Sequence, residues 1–314
     1  MIDKTESAPI MGPGAARLML LAVIILWGTN WPIIKVGLEF MPPLWFAAAR
    51  MALGIASFLL LLAVMGKLSL PTRRDLPVVF SIGLAQMIGF VALINFGLLY
   101  VDAGRSATLA YTTPLWVTPV AVWLLGEVLT GRRIFGLLLG LSGVAALFNP
   151  LGFDWGDTKA LFGNACLLGA ALAWSIGILH VRAHKWDSTP LQLAPWQMLV
   201  ALPPLTALSW FREDWGSVVW TPETLGVLFY NGPIATAFCF WASIAVTRAL
   251  PAITTALSFL AVPVAGVLFS ALFLGEVLTP TLIAGLALII GGMALVNLPE
   301  SRAGKSRSAA DPAD

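Results

Sequence analysis

The chain has 314 residues, of which 59% are hydrophobic and only 11% are charged, and its net charge is +2. Soluble domains carry charges at about a quarter of their positions, so this chain has too few to cover a water-facing surface, whereas hydrocarbon tails solvate apolar side chains without penalty. The composition predicts an integral membrane protein. Because the basic residues are scattered, it excludes the concentrated positive face that nucleic-acid binding requires.

Ten apolar runs are long enough to form spanning helices, which need about 20 residues to cross a hydrocarbon core of about 30 Å. In chain order the predicted spans are 18–38, 44–66, 77–99, 105–125, 132–150, 160–182, 190–211, 222–247, 251–274 and 280–298. These runs are apolar on all sides, unlike the alternating strands of a membrane barrel, which indicates helices. We expect the first run to be retained, since the apolar core of a cleavable signal segment is shorter.

The basic residues also predict the orientation of the chain. Lys and Arg accumulate on the cytoplasmic side of membrane proteins, and ten spans place both termini on one side. Assigning that side to the cytoplasm puts thirteen of the 18 basic residues there. We therefore expect a multi-pass protein of the plasma (inner) membrane with cytoplasmic tails at 1–17 and 299–314. Only Lys35 and Arg50 fall within spans, where charge pairing or snorkelling competes with a role in binding a substrate carboxylate.

The two halves of the chain are related in sequence. The run Gly-Glu-Val-Leu-Thr occurs at 126–130 and again at 275–279, and residues 126–147 match residues 275–296 at eleven of 22 positions. The two glutamates lie beside helix starts, where we expect them to cap backbone amides. Gly136 and Gly140, which are spaced four apart after the first run, are expected to let helix backbones approach closely.

We expect one repeat at 18–150 and a second at 160–298, each with five spans. An odd number of spans inserts the second repeat with the opposite orientation. Two halves related in this way can exchange conformations and open a shared site to each side in turn. The sequence therefore predicts an all-α membrane protein of ten transmembrane helices, built as two inverted five-helix repeats around a central cavity.

These features resemble the drug/metabolite transporter superfamily, specifically its ten-helix EamA family. The resemblance is based on the Trp-Gly-Thr-Asn segment at 27–30, on Pro114 and its mate Pro263, and on the repeated Gly-Glu-Val-Leu-Thr run. It covers nearly the whole chain. Within the family, the length and the tryptophan-rich character are similar to the YddG-type exporters, which implies transport of aromatic and some other neutral amino acids.

Polar groups are costly in hydrocarbon, so those at mid-span should face a cavity or another helix. Aromatic rings interleaved with amides and hydroxyls suit a zwitterion that carries a bulky side chain. The candidate substrate-binding residues are Trp27, Thr29, Asn30, Trp31, Gln86, Tyr111, Thr112, Trp174, Ser175, Trp196, Gln197, Tyr230 and Asn231. For each of them, an interhelical hydrogen bond or packing contact is the alternative role.

The positions of the ionisable residues narrow the expected substrate. All sixteen Asp and Glu residues fall at termini, loops or span ends. Proton-coupled transporters commonly need an ionisable group inside the membrane, and a phosphorylated substrate needs several convergent basic groups. We therefore expect export or exchange of neutral, mainly aromatic or large, amino acids by alternating access without an intramembrane carboxylate relay. Binding would depend on aromatic contacts and dipoles, not on ion pairs.

Several alternatives stay open. The protein could be an EamA-type permease for another metabolite or drug, or a scaffold or channel without alternating access. A polytopic enzyme acting on lipid would need an acid–base group, which only His180, His184 and Asp187 could supply. The expectation is a protein that is not an enzyme and has no cofactor or metal. Its expected partners are a small-molecule amino acid and the lipid bilayer, and a monomer is compatible with the sequence.

Overall fold

The computed structural model describes residues 11–101, 103–148, 156–275 and 280–297, and these residues contain helices and no strand. The α-helices in chain order are α1 (Pro13–Phe40), α2 (Pro43–Val64), α3 (Leu76–Ile82), α4 (Val91–Leu98), α5 (Ala103–Ala110), α6 (Thr113–Leu125), α7 (Gly131–Phe148), α8 (Thr158–Ala183), α9 (Pro190–Arg212), α10 (Pro222–Phe229), α11 (Cys239–Ala249), α12 (Ala252–Ser258), α13 (Ala261–Leu274) and α14 (Pro280–Asn297). Two π-helical segments, Gly83–Phe90 and Tyr230–Phe238, join α3 to α4 and α10 to α11.

Six helical stretches of the described chain are long and apolar enough to cross a membrane, and each overlaps one predicted span: Gly14–Phe40, Pro43–Val64, Leu76–Leu98, Thr158–Ala183, Pro222–Ala249 and Ala252–Phe273. The shorter apolar helices Thr113–Leu125 and Ile283–Gly292 fall within two further predicted spans. The all-helical, multi-pass membrane architecture is therefore confirmed. The count of ten crossings stays a prediction.

Two predicted spans are each divided into two helices. The run 251–274 forms α12, which ends at Ser258, and α13, which begins at Ala261. The run 105–125 forms two helices, because α5 ends at Ala110 and α6 begins at Thr113. Pro114 explains the break: its ring would clash with the carbonyl group of residue 110 in a continuous helix, and it has no N–H to donate. In the first turn of α6 the same proline leaves no intrahelical hydrogen bond unmade.

A carboxylate at the end of α6 caps a helix of the other half. Glu127 accepts the backbone N–H groups of Ala252 at 2.6 Å and Ile253 at 3.1 Å, at the start of α12. A negative charge at this place also interacts favourably with the helix dipole. The predicted capping role of Glu127 is confirmed, although the capped helix belongs to the second half of the chain. Glu276 lies outside the described residues.

Two further carboxylates secure the starts of α2 and α9, which have equivalent places in the two halves. Glu213, just after α9, accepts the N–H group of Leu44 at 2.9 Å in the first turn of α2. Asp75, between α2 and α3, accepts the N–H groups of Asp187 at 2.9 Å and Ser188 at 3.1 Å, just before α9. Glu213, which follows α9, therefore stabilises the start of α2, and Asp75, which follows α2, stabilises the start of α9.

Close glycine contacts join α7 to α14. A Cβ atom on Gly143 would lie 2.6 Å from the carbonyl oxygen of Gly285, and one on Gly292 would lie 2.5 Å from the carbonyl oxygen of Gly136. Both distances are too short for a real side chain, so the two backbones touch. The close packing predicted from the glycine spacing is confirmed.

The helix contacts between the two halves come in matching pairs. Helix α1 packs on α13 as α8 packs on α6, and α2 contacts Tyr230–Phe238 as α9 contacts Gly83–Phe90. Equivalent helices also meet each other, α2 with α9 and α7 with α14. Around this core the outer surface is apolar: Trp123 and Phe211, for example, are more than four-fifths exposed. Such a surface suits a hydrocarbon environment.

Candidate functional site

A cavity lies where α1, α4, α8 and α11 converge, so that both halves contribute to its walls. Its empty volume is about 520 Å³, including the space open at its mouth. The residues that line it are Trp27, Asn30, Trp31, Ile34, Arg50, Phe90, Val91, Ile94, Asn95, Tyr111, Trp174 and Phe240.

Helical periodicity places one stripe of α1 on the cavity. Trp27, Asn30, Trp31 and Ile34 follow one another at intervals of three or four residues along the helix, and side chains at this spacing share a face. All four are buried. A single helix therefore supplies two indole rings and one amide to the same wall.

Aromatic rings from three helical segments surround the indole of Trp174. The centroid of its ring lies 5.3 Å from that of Trp27, 4.6 Å from that of Phe90 and 5.5 Å from that of Phe240. The Trp27 ring meets it edge to face, an arrangement that stabilises an aromatic pair by about 0.5–1.5 kcal/mol beyond the burial of area. The result is a fixed apolar wall whose ring faces can also attract a cation.

Two buried polar atoms on this wall have no partner among the described residues, the Oδ1 acceptor of Asn30 and the Nε1 donor of Trp174. Leaving a buried polar group unpaired costs about 1–3 kcal/mol. Because both side chains line the cavity, a polar ligand there could satisfy them. The second amide of the wall is already engaged, since the Nδ2 atom of Asn95 donates to the carbonyl oxygen of Pro43 at 2.8 Å.

Arg50 is the charged residue of the cavity wall. It comes from α2, is only 7% exposed, and its Nε atom donates to the hydroxyl oxygen of Thr236 at 2.7 Å. This differs from the expectation that the site would contain aromatic groups and dipoles without ion pairing, because a full positive charge faces the cavity. Sequence reasoning weighed Arg50 for a substrate carboxylate but did not place it among the candidate site residues.

The structure brings together five of the thirteen candidate residues, since Trp27, Asn30, Trp31, Tyr111 and Trp174 all line the cavity. The other eight are not among its lining residues and take part in contacts within or between helices. Two kinds of contact account for most of them.

Four of these eight donate within their own stretch of chain. The hydroxyl groups of Thr29, Thr112 and Ser175 each donate to a carbonyl group three or four residues earlier, at 2.7 to 2.8 Å. Asn231 likewise donates to the carbonyl oxygen of Val227 at 3.1 Å. A hydroxyl or amide group can be accommodated in an apolar helix in this way without any ligand.

Three others reach a neighbouring element. The Nε2 atom of Gln86 donates to the carbonyl oxygen of Trp174 at 3.1 Å, and the hydroxyl of Tyr230 donates to a carbonyl of α1 at 2.8 Å. Trp196 donates to the carbonyl oxygen of Ser69 at 2.9 Å, in the linker after α2. The eighth, Gln197, is fully buried, and neither of its amide atoms has a partner among the described residues.

The histidines considered for acid–base chemistry join α8 to the region around α3. The Nδ1 atom of His180 contacts the hydroxyl of Ser81, and the Nε2 atom of His184 hydrogen-bonds the carbonyl oxygen of Arg74 at 2.8 Å. Asp187 forms an exposed ion pair with Arg74 at 3.7 Å. None of these side chains lines the cavity, and within the described ranges no three metal-ligating side chains cluster together.

Known proteins resemble this chain over most of its length. It is 28% identical over 285 residues to the uncharacterized transporter YoaV of Bacillus subtilis (strain 168), covering 91% of this chain and 97% of that protein. It is 30% identical over 300 residues to a probable terminal-alkyne amino-acid exporter of Streptantibioticus cattleyicolor, covering 93% and 96%. A solved crystal structure that is 22% identical has a similar fold, with a TM-score of 0.72 over 91% of this chain and 97% of that one.

The EamA-like transporter family matches the chain twice, over residues 15–149 and again over 161–298. Together the two matches cover nearly all of the chain that lies between its two tails. With the apolar helices described above, they identify a multi-pass membrane transporter. The chain belongs to the EamA-like transporter family.

Proposed function

We propose that the protein exports or exchanges neutral amino acids, chiefly aromatic and other large ones, across the inner membrane. One observation carries the proposal: the rings of Trp27, Phe90, Trp174 and Phe240 surround a cavity that is also lined by Asn30, whose buried amide oxygen has no partner among the described residues. A flat apolar group and a polar head can both be accommodated there. The name of the relative that is a probable terminal-alkyne amino-acid exporter supports the same class of substrate.

Transport would proceed by rocking of two five-helix repeats, 18–150 and 160–298, inserted with opposite orientation so that ten helices cross the membrane and both terminal tails are cytoplasmic. The matching pairs of helix contacts between the halves support this arrangement. Exchange of the two sets of contacts would close the cavity on one side and open it on the other. The cavity residues from α1 and α8 lie where the two halves meet.

The proposed mechanism uses no carboxylate relay within the membrane. The described carboxylates lie at helix ends or in linkers, as Glu39, Asp75, Glu127, Glu213 and Glu223 illustrate. Asp75, Glu127 and Glu213 accept from backbone amides or hydroxyls outside the cavity, and Asp187 pairs with Arg74. Transport would then follow the gradient of the substrate or proceed by exchange.

Counterflow of labelled phenylalanine into proteoliposomes tests the proposal. We expect saturable counterflow that persists without a pH gradient, since neither exchange nor downhill flux needs a proton. The variants Trp174→Ala and Asn30→Ala should lower transport at least tenfold, the order of magnitude found when a central aromatic or polar anchor is removed. Trp123→Ala provides the matched control, because that indole is 84% exposed on the outer surface.

The outcomes separate the parts of the proposal. Uptake that depends strictly on a pH gradient would refute the uncoupled mechanism. Unchanged rates in folded Trp174→Ala and Asn30→Ala proteins would remove the cavity from the transport path. A protein that shows no counterflow with any neutral amino acid is not an amino-acid exporter, and a pore would conduct without counterflow.

A further inference from the structure

We propose that Arg50 binds the carboxylate group of the transported compound in the cavity, and that Thr236 positions its guanidinium group for this purpose. The inference deepens the proposed function, on which it rests, by stating which part of an amino acid is recognised most strongly. It makes the carboxylate, more than the ammonium group, the feature that a substrate must have.

The charge of Arg50 is not compensated by a described residue. Its side chain is 7% exposed and faces a cavity whose other described lining residues are all neutral. Among the residues that the structure describes, no carboxylate pairs with Arg50, and its two Nη groups have no acceptor. A buried cation without a counter-charge is costly. A carboxylate in the cavity would supply that counter-charge.

The geometry of the Arg50 guanidinium group suits a carboxylate. Its Nε atom is engaged by the hydroxyl of Thr236 at 2.7 Å, which leaves both Nη groups available. Two N–H groups of a guanidinium can bind the two oxygens of a carboxylate in a planar, bidentate arrangement. The hydrogen bond to Thr236 fixes the plane of that fork before the substrate arrives, which lowers the entropy lost on binding.

The repeat architecture does not require a cation at the position of Arg50. The offset of 147 residues that pairs Trp27 with Trp174 also pairs Arg50 with Gln197. Gln197 is fully buried and neutral. The equivalent backbone contacts occur in both halves, because the carbonyl oxygen of Arg50 faces Gly232 and that of Gln197 faces Gly83. A neutral side chain therefore meets the packing demands, so the charge of Arg50 needs another explanation.

The ammonium group of an amino acid would meet neutral groups only. No acidic side chain is among the described residues that line the cavity. The amide oxygen of Asn30 can accept one hydrogen bond, and the surrounding ring faces can attract a cation. We therefore expect a compound with a carboxylate and no amine to bind, and a compound with an amine and no carboxylate to bind poorly.

Competition against labelled phenylalanine in proteoliposomes tests this expected order of binding affinities with the unmodified protein. The competitors are phenylalanine, 3-phenylpropionate, which lacks the amine, and phenylalaninamide, which lacks the carboxylate. We expect phenylalanine and 3-phenylpropionate to compete and phenylalaninamide to be at least 30-fold weaker, the equivalent of about 2 kcal/mol for an unpaired buried charge.

Each result decides between the two proposals. Equal competition by phenylalanine and phenylalaninamide would overturn the role of Arg50 while leaving amino-acid transport intact. Where phenylalanine is not transported, thermal stabilisation of the purified protein by 3-phenylpropionate but not by the amide would support the carboxylate site and refute the proposed function. Stabilisation by none of the three compounds, without transport, would overturn both.

Variants at Arg50 and Thr236 test whether these two side chains cause the preference for a carboxylate. Arg50→Gln should weaken binding of phenylalanine at least 30-fold and remove the preference over phenylalaninamide, and Arg50→Lys should recover part of both. Thr236→Val should reduce the preference and Thr236→Ser should restore it, because only the hydroxyl group is needed. Arg17→Gln, on the exposed start of α1, controls for loss of one positive charge. An unchanged preference in a folded Arg50→Gln protein would refute the proposal.

Discussion

The indole rings of Trp27 and Trp174, which have equivalent positions in the two halves of the chain, meet edge to face but have different hydrogen bonds. The Nε1 atom of Trp27 donates to the carbonyl oxygen of Ala235 at 2.9 Å, whereas that of Trp174 has no acceptor among the described residues. The offset of 149 residues that relates the two π-helical segments pairs Ala235 with Gln86. In a conformation with the halves exchanged, Trp174 would therefore donate to the carbonyl oxygen of Gln86.

Phenylalanine at either position should shift the balance between these two conformations in opposite directions. Trp27→Phe removes a bond of the present state, and Trp174→Phe removes one that only the exchanged state would make. A net hydrogen bond contributes about 1 kcal/mol, so each change should alter the population ratio about fivefold.

Distances between spin labels at positions 73 and 185, on a background without Cys166 and Cys239, would measure these populations. Both positions are exposed and lie in linkers near Asp75. If the two substitutions move the distance distribution in the same direction, the exchange of hydrogen bonds does not occur.

Removing the carboxylate of Glu127 should lower stability, because the first N–H groups of α12 lose their acceptor. We expect Glu127→Ala to cost about 0.5–2 kcal/mol, the usual range for loss of a helix cap. Thermal unfolding in detergent would show this as a lower Tm. Glu39→Ala is the control, since Glu39 is exposed and should change the Tm little. Equal effects of the two changes would contradict a capping role.

Asp75 predicts a pH dependence of stability. Burial alone would raise the pKa of this carboxyl group, but hydrogen bonds from Ser188 and Thr72 outweigh burial and lower the pKa to about 2. A lowered pKa in the folded state stabilises the protein fully above the ordinary value near 4, and this contribution is lost as the pH falls toward 2. Asp75→Asn should therefore lower the Tm by a constant amount between pH 7 and pH 5.

Below about pH 4 the difference in Tm between the wild type and Asp75→Asn should narrow, because the contribution of the ionised Asp75 carboxylate to folding stability is lost. Circular dichroism during heating at each pH would measure it. A difference that stays constant down to pH 3, or that widens, would contradict the sign of the pKa change.

The α7–α14 interface predicts opposite effects of two glycine substitutions. Gly143→Ala would place a Cβ atom 2.6 Å from the carbonyl oxygen of Gly285, and relief of such crowding typically costs about 1–3 kcal/mol. Gly226→Ala, in α10, would meet nothing within 4 Å and should stabilise its helix by up to about 1 kcal/mol. Thermal unfolding of both variants checks the contrast, and equal Tm values would show that α7 and α14 do not pack as described.

The apolar runs predicted the helices well, because hydrocarbon length and the need to satisfy every backbone group leave few choices. The division of 105–125 could have been anticipated from Pro114. The π-helical segment Gly83–Phe90 could not, since it begins at Gly83, which lies against the backbone of Gln197, a residue more than a hundred positions away.

The cavity was partly predictable. Applying the helical period to α1 selects Trp27, Asn30 and Trp31 and rejects Thr29, which lies two residues from Trp27 and on another face. Phe90 and Phe240 carry no signal that separates a cavity wall from ordinary apolar core. Polar residues such as Gln86 and Tyr230 were candidates because polarity at mid-span indicates a contact, but it does not say whether the contact is with a ligand or with a carbonyl group of a neighbouring helix.

The carboxylates Glu127 and Glu213 have a consequence for how the chain could be divided. Each lies in one half of the chain and caps the start of a helix in the other half. A gene split near position 156 would therefore yield two fragments, one with uncapped amides at α2 and one with uncapped amides at α12. Neither fragment would be complete until it met its counterpart. Co-production of both pieces should therefore rescue their accumulation in the membrane, and either piece alone should be degraded.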